Sequence, residues 1–318
     1  MAVYTHLGAE ELARLIAQYD VGELVSAKGI AEGVSNSNWL IETTCARYIL
    51  TMYERRIDIA QLPFFLSLLD HLADHGCAVP ATIHDRSGAT SRLIDGKAVA
   101  LIEFLPGVSP SKATANQAHA VGSALATVHL AARDFGQTRR NDLAPADTLA
   151  MLERCGSEQL AGIDPGLAEF LPRARALVAN WPKGLPRSII HSDLFPDNVL
   201  MLEGRVSGMI DFYFACEDMM AYDLAVTHAA WCFDKTGIQF DPAVGTALVA
   251  GYESVRALQQ DERSVLPLLA QGACMRFVAS RAEDWLDTPS DAKVLRKDPM
   301  DFARRWDFYA EMGDKAFA

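Results

Sequence analysis

Hydrophobic positions along the chain follow two regimes. Leu12, Leu15, Ile16 and Tyr19 recur at helical spacing and predict a first helix. From Val25 to Ile30 the pattern turns strand-like, and Gly29, Gly33, Ser35, Asn36, Ser37 and Asn38 then make a polar loop of small residues. Trp39–Thr43 and Arg47–Tyr53 read as a hairpin. Leu62 to Ala73 is helical, with Gly76 as its stop. Val79–Ile83, Ser91–Ile94 and Val99–Phe104 complete a set of short strands. Leu105-Pro106-Gly107 punctuates the chain, and helices dominate after it. Thr114 and Gln117 form a capping pair before a helix at 115–131. Further helices are predicted near 166–179, 218–233, 242–256, 261–286 and 300–315. One β-like island interrupts them, at Ile189–Ile190, Val199–Leu202 and Val206–Ile210. The pattern predicts an α+β fold in two parts: a small, mostly antiparallel β-rich lobe over 1–105 and a larger helical lobe over 106–318. Clefts between two such parts are favoured places for small ligands.

Composition narrows the function classes. Half of the 318 residues are hydrophobic and 22% are charged, which excludes a disordered polymer or a low-complexity fibre. The balance of 29 Lys+Arg against 41 Asp+Glu, a net charge of −12, argues against nucleic acid as the main partner. The six cysteines are widely spread without C-x-x-C spacing, as expected for free thiols in a reducing compartment. The N-terminal stretch Met1-Ala-Val-Tyr-Thr has no basic segment leading into an apolar core, and no apolar run approaches the roughly 20 residues of a membrane span. The expectation is a cytoplasmic protein with no membrane or nucleic-acid partner.

The chemistry is concentrated in Ile190-His191-Ser192-Asp193-Leu194-Phe195-Pro196-Asp197-Asn198-Val199, which holds H-x-D-x-x-x-x-N. Shortly downstream, Asp211 ends an apolar strand. Two carboxylates and an amide thus converge on a loop between strands. Asp193 and Asp211 can accept protons or bind a hard cation, and Asn198 offers a neutral oxygen. Mg²⁺ prefers one or two carboxylates together with phosphate oxygens and waters, so the trio suits a Mg-nucleotide site.

This pattern resembles the catalytic and metal-binding segments of the protein-kinase-like phosphotransferases, the group of aminoglycoside phosphotransferases and choline kinases. The resemblance implies a two-lobed kinase fold, ATP as phosphoryl donor and Mg²⁺ as cofactor. It implies that Asp193 orients the acceptor hydroxyl and takes its proton, and that Asn198 and Asp211 hold the metal. His191 and Asp223 resemble the residues that brace the catalytic loop. Ala100-Leu-Ile-Glu-Phe-Leu-Pro-Gly107 looks like the interlobe hinge, with adenine near Glu103 and Leu105. The loop Gly33-Val-Ser-Asn-Ser-Asn38 sits where phosphates are covered, so Val34, Ser35, Asn36 and Ser37 are nucleotide-binding candidates. His129 reads most simply as a satisfied helix histidine. Within this superfamily, Tyr48-Ile-Leu-Thr-Met-Tyr-Glu54, Leu62-Pro-Phe-Phe65, His191-Ser-Asp-Leu-Phe-Pro-Asp-Asn198 and Ile210-Asp-Phe-Tyr-Phe-Ala215 are similar to the bacterial homoserine kinases. That similarity implies transfer of the ATP γ-phosphoryl to L-homoserine, a step toward threonine. The same machinery on another amino alcohol, a sugar or an aminoglycoside is the alternative, and a non-catalytic nucleotide-binding module is a further one.

The chain departs from the wider kinase pattern in two linked places. Thr51 stands where a phosphate-binding Lys or Arg belongs, and the helix that should carry its Glu partner has Phe64, Phe65 and Leu68. Losing both partners is chemically consistent, since a lone buried Glu is costly. Lys28, Arg55 and Arg56 are the replacement candidates, with a solvated surface charge as the plainer reading of each. For the substrate, carboxylate recognition favours Arg. Arg276 and Arg281, and Arg139, Arg140 and Asn141 after the early helix of the larger lobe, are therefore the pocket candidates, with Tyr213 and Trp231 as walls.

Overall fold

A computed structural model describes residues 7–30, 36–54, 58–288 and 296–318. The chain opens with helix α1 (Ala9–Ile16), which buries Leu12, Leu15 and Ile16. Strands β1 (Leu24–Ile30), β2 (Asn36–Thr43) and β3 (Arg47–Tyr53) follow, then helix α2 (Leu62–Asp74) and strands β4 (Thr82–Ile83), β5 (Arg92–Ile94) and β6 (Lys97–Glu103). All six strands join one antiparallel sheet in the order β1-β2-β3-β6-β4, with β5 also paired to β6. One side chain set of this sheet, Trp39, Ile41, Leu50, Met52, Val99 and Leu101, packs with α1. The strand expected over Val79–Ile83 is shorter, because Pro80 has no N–H to give a ladder.

After the sheet the chain is mainly helical: α3 (Ala115–Ala131), α4 (Pro145–Cys155), α5 (Ser157–Ile163), α6 (Pro165–Ala168) and α7 (Phe170–Ala179). The β island follows as β7 (Arg187–Ile190), β8 (Val199–Leu202), β9 (Arg205–Met209) and β10 (Cys216–Met219). Helices α8 (Met220–Trp231), α9 (Pro242–Glu253), α10 (Gln260–Asp287) and α11 (Met300–Met312) complete it. Two expectations change here. Residues 216–219, expected to open a helix at 218, instead extend and pair with β7, Cys216 opposite Ile190 and Met219 opposite Arg187. The segment 145–163 holds two helices that periodicity did not predict; they are short, and Gly156 at φ +74° separates them.

Helix packing, more than the sheet, fixes the site. Every residue of α8 is buried, so this helix is a post around which the rest assembles. Helices α3 and α9 cross at contact distance: a Cβ at Gly122 would lie 2.1 Å from Leu248 O, and one at Gly251 would lie 2.0 Å from His119 O. That approach carries Tyr252 of α9 to His129 of α3. Five of the six cysteines are buried and all are free, with only Cys45 exposed. No helix among the described residues is long and apolar enough to cross a membrane.

One consequence of this packing is a pH-dependent stability. His228 on α8 is fully buried among Phe240, Tyr309 and Phe317. Its Nδ1 meets Tyr309 OH at 2.6 Å. Burial pushes its pKa down to about 3. The folded state therefore prefers the neutral ring. Its contribution is complete above the unfolded value near 6.5 and is lost as pH falls below it. The protein should lose about 2 kcal/mol from this group between pH 7 and pH 5. Urea unfolding at the two pH values reads this, and His228→Gln should flatten the difference; an equal difference in both proteins would contradict it.

Candidate active site

The loop between β7 and β8 is held by its own backbone. Strand β7 delivers His191, fully buried, at its end. The His191 ring accepts from Asp193 N–H through Nδ1 at 3.2 Å and donates from Nε2 to Ile210 O at 2.9 Å. Acceptance at Nδ1 requires the neutral ring, and burial, first among its influences, lowers the pKa accordingly. His191 thereby ties the Asp193 loop to the strand end that carries Asp211. Ile210 N–H also donates to Asn198 O at 3.0 Å, a second tie between the same segments.

Asp223, on α8, supports the loop from below. Its carboxylate accepts from His191 N–H and Ser192 N–H, each at 2.7 Å, and meets His129 Nε2 at 2.9 Å. Burial pushes the Asp223 pKa up, but the His129 hydrogen bond and charge and the neighbouring donors outweigh it and hold the carboxyl below the usual range. Behind it, His129 Nδ1 meets Tyr252 OH at 2.8 Å, and Tyr252 OH accepts from Arg256, which pairs with Glu262 at 2.8 Å. His129 is thus a satisfied helix histidine that also orients Asp223.

Asp193 itself is half-buried at the cleft. Desolvation, the largest influence, raises its pKa, while Arg276 and His191 work against that rise. Asn198 donates from Nδ2 to Asp193 O at 2.8 Å, which leaves the amide oxygen as its acceptor for a ligand. Asp211 adopts a left-handed backbone at φ +66°, uncommon without glycine, and turns its exposed carboxylate into the cleft. Solvent reaches it, yet it sits deep between the two parts of the molecule. Desolvation by the cleft walls, then the charges of Asp193 and Asp197, push it up to about 7. A carboxylate so destabilised in its charged form is a ready partner for a divalent cation. Among the described residues no cluster of three or more His, Cys, Asp and Glu could hold a metal alone. The donor set therefore fits a cation shared with phosphate oxygens.

The β sheet closes over this cleft. Tyr53, at the end of β3, and Tyr213, two residues past Asp211, share a 2.8 Å hydrogen bond between their hydroxyls. Their rings meet edge to face at 5.4 Å, and Phe65 of α2 adds another edge contact at 5.7 Å. Tyr213 is thus a contact between the two parts. Asn36 and Ser37 open β2 and are buried, and Ser37 Oγ donates to Glu54 at 2.7 Å; Glu54 also pairs with Lys97. Val34, Ser35, Arg55 and Arg56 lie outside the described residues. Thr51 is buried and donates to Asn38 Oδ1 at 2.8 Å, a neutral pair at the usual lysine position. Lys28 is exposed on β1. At the hinge, Glu103 N–H donates to Ala81 O at 2.9 Å. Leu105 lies against β9, where a Cβ at Gly208 would be 2.7 Å from Leu105 Cδ1.

The remaining pocket candidates are dispersed. Trp231 is buried and its indole N–H donates to Leu194 O at 2.8 Å, so it braces the loop from inside. Arg281 bonds Asp298 O at 2.8 Å and Asp301 at 2.9 Å, and stacks over Phe302. Arg276 reaches the loop directly, at Ser192 and Asp193. A cavity of about 590 Å³ lined by Arg139, Trp181, Arg187 and Asp218 contains neither Asp193 nor Asp211. Arg139 binds Gln61, Asp142 and Ala215 O, Arg140 pairs with Asp147, and Arg187 binds Glu217 and Asp218. Sequence reasoning missed Tyr252 and Tyr53, whose single signal was a tyrosine inside an apolar run.

Residues 26–258 match the phosphotransferase enzyme family. The chain is 46% identical over 318 residues to a homoserine kinase of Gluconacetobacter diazotrophicus, covering 97% of each. It is 46% identical over 314 residues to a homoserine kinase of Nitrobacter winogradskyi, covering 98% of this chain and 96% of that one. In fold it is similar to an amicoumacin kinase solved with AMP-PNP and Ca²⁺, with a TM-score of 0.68, 14% identity and coverage of 97% and 94%. It is also similar to a microcompartment-associated aminopropanol kinase, with a TM-score of 0.65, 19% identity and coverage of 98% and 99%.

Proposed function

The chain belongs to the phosphotransferase enzyme family, and from that premise we propose that it is an ATP-dependent kinase that phosphorylates the side-chain hydroxyl of L-homoserine. The observation that carries this reading is the convergence of Asp193, Asn198 and Asp211 in one cleft, in a chain 46% identical along nearly its whole length to homoserine kinases. ATP lies between the sheet and the helical part. The start of β2 faces its phosphates, and the hinge at Glu103 and Leu105 faces adenine. On this reading residues 1–105 form the nucleotide lobe and 106–318 the catalytic lobe, and the enzyme works in the cytoplasm.

Asn198, through its amide oxygen, and Asp211 would hold Mg²⁺. When bound, that ion supplies charge neutralisation at the β- and γ-phosphates. Asp193 accepts a hydrogen bond from the homoserine hydroxyl, aligns its oxygen with the γ-phosphorus and takes its proton. The oxygen–phosphorus bond forms as the bond to the bridging oxygen of ADP breaks. Because phosphoryl transfer has a loose transition state, most of the catalysis is positioning and charge placement. The braced loop described above supplies that positioning.

The test is ADP release from Mg-ATP with L-homoserine, beside L-serine, choline, methylthioribose and kanamycin. Homoserine should exceed every other acceptor in kcat/KM by about tenfold or more, in line with a methylene's worth of discrimination in a fitted pocket. A different acceptor at the top of that ranking would overturn the substrate assignment. No transfer to any acceptor would overturn the kinase reading.

A further inference from the structure

We propose that Arg276 is a positioning residue for phosphoryl transfer: it clamps the Ser192–Asp193 peptide and the Asp193 carboxylate in the reactive orientation. This rests on the phosphotransfer reading above and adds a residue to it. Arg276 comes from α10, more than 80 positions along the chain, and its side chain is 3% exposed. One guanidinium nitrogen donates to both Ser192 O and Ser192 Oγ, the latter at 2.8 Å. The other faces Asp193 Oδ1 at 3.4 Å. The group lies over two rings, Phe214 at 5.1 Å and Phe277 at 4.9 Å.

Each contact has a consequence. Ser192 has φ +67°, a left-handed backbone that a non-glycine residue holds only when its surroundings impose it. Asp223 fixes the N–H side of that residue and Arg276 fixes its carbonyl side, so the peptide leading into Asp193 cannot rotate. The planar fork then reaches the carboxylate from one side, which a point-like ammonium cannot do while also holding Ser192. Phe214 follows Asp211 by three residues, so the same guanidinium packs the metal-side turn against the Asp193 loop. Arg276 is 3% exposed and its hydrogen bonds go to Ser192 and Asp193, which suits a role on the loop better than one on a substrate's carboxylate. It acts through Asp193.

The experiment compares Arg276→Met and Arg276→Lys with wild type. Met keeps an unbranched apolar stem beside Phe214 and Phe277 and removes the charge and every donor. Arg276→Met should lower kcat about 10²-fold, the scale of a misplaced catalytic group, with KM for both substrates within about threefold. Arg276→Lys should recover roughly tenfold of that loss, and millimolar guanidinium should raise the turnover of Arg276→Ala but not of wild type. A rise in KM for the amino-acid acceptor at unchanged kcat would overturn the proposal and make Arg276 a substrate ligand. Near-wild-type kcat in Arg276→Met would overturn it outright. If Arg276→Met does not fold, the kcat of Arg276→Lys decides alone: unchanged turnover overturns the proposal, and a loss at constant KM supports it. Should wild type prefer an acceptor other than homoserine, the substrate reading fails while the same comparison is made on that acceptor.

Discussion

Asp193→Asn is expected to abolish nearly all turnover, lowering kcat by about 10²- to 10⁴-fold, the range that a positioned general base contributes. The substitution is isosteric. It leaves the backbone bonds from Asn198 Nδ2 to Asp193 O and from Asp193 N–H to His191 in place. It removes only the acceptor for the hydroxyl proton and the charge facing Arg276. Nucleotide affinity should therefore change by less than about threefold, because the phosphates are met by other groups. Steady-state kinetics and nucleotide titration read the two quantities separately. Turnover within tenfold of wild type would remove Asp193 from the reaction.

Asp223→Asn is expected to damage both stability and activity. The side chain is fully buried and accepts from two backbone N–H groups and from His129. An amide has one oxygen to offer, so at least one buried donor is left facing an NH₂ group. Breaking one partner of a buried charged network costs about 3–5 kcal/mol. The strain at Ser192 is then unsupported from the N–H side, and the Asp193 loop relaxes. Urea unfolding should show the loss, and turnover should fall even in the fraction that remains folded. The native carboxyl is held below the usual range, so its stabilisation is present above about pH 4 and is lost as acid protonates it. An unchanged urea midpoint with full activity would contradict the role of Asp223 as the loop's anchor.

Much of this was legible in the sequence because the relevant signals are local. The spacing of His191, Asp193 and Asn198 is a property of one loop, and Asp211 ends the adjoining strand. The antiparallel sheet followed from short apolar runs separated by turn residues; β3 and β6 bury one face with α1 and the other with Leu62 and Leu66 of α2. What stayed hidden depends on contacts across the chain. No local pattern tells that Arg276 turns toward Ser192 while Arg281, five residues on, turns to Asp301. Trp231 reads as a possible pocket wall until α8 is seen to be buried on every side. Strand β10 was masked by its four-residue length, since its partner β7 lies nearly thirty residues earlier. The absence of a lysine at Thr51 was visible, and the structure adds its neutral partner, Asn38.

The central claim is that the cleft holding Asp193, Asn198 and Asp211 moves a phosphoryl group from ATP to the hydroxyl of homoserine. Phosphorus NMR of a reaction containing the enzyme, Mg-ATP and L-homoserine tests it most directly. The account predicts loss of the γ-phosphate signal with growth of a phosphomonoester signal identical to O-phosphohomoserine, at a rate that Asp193→Asn removes. Growth of inorganic phosphate alone, or no change in the ATP signals, would contradict it.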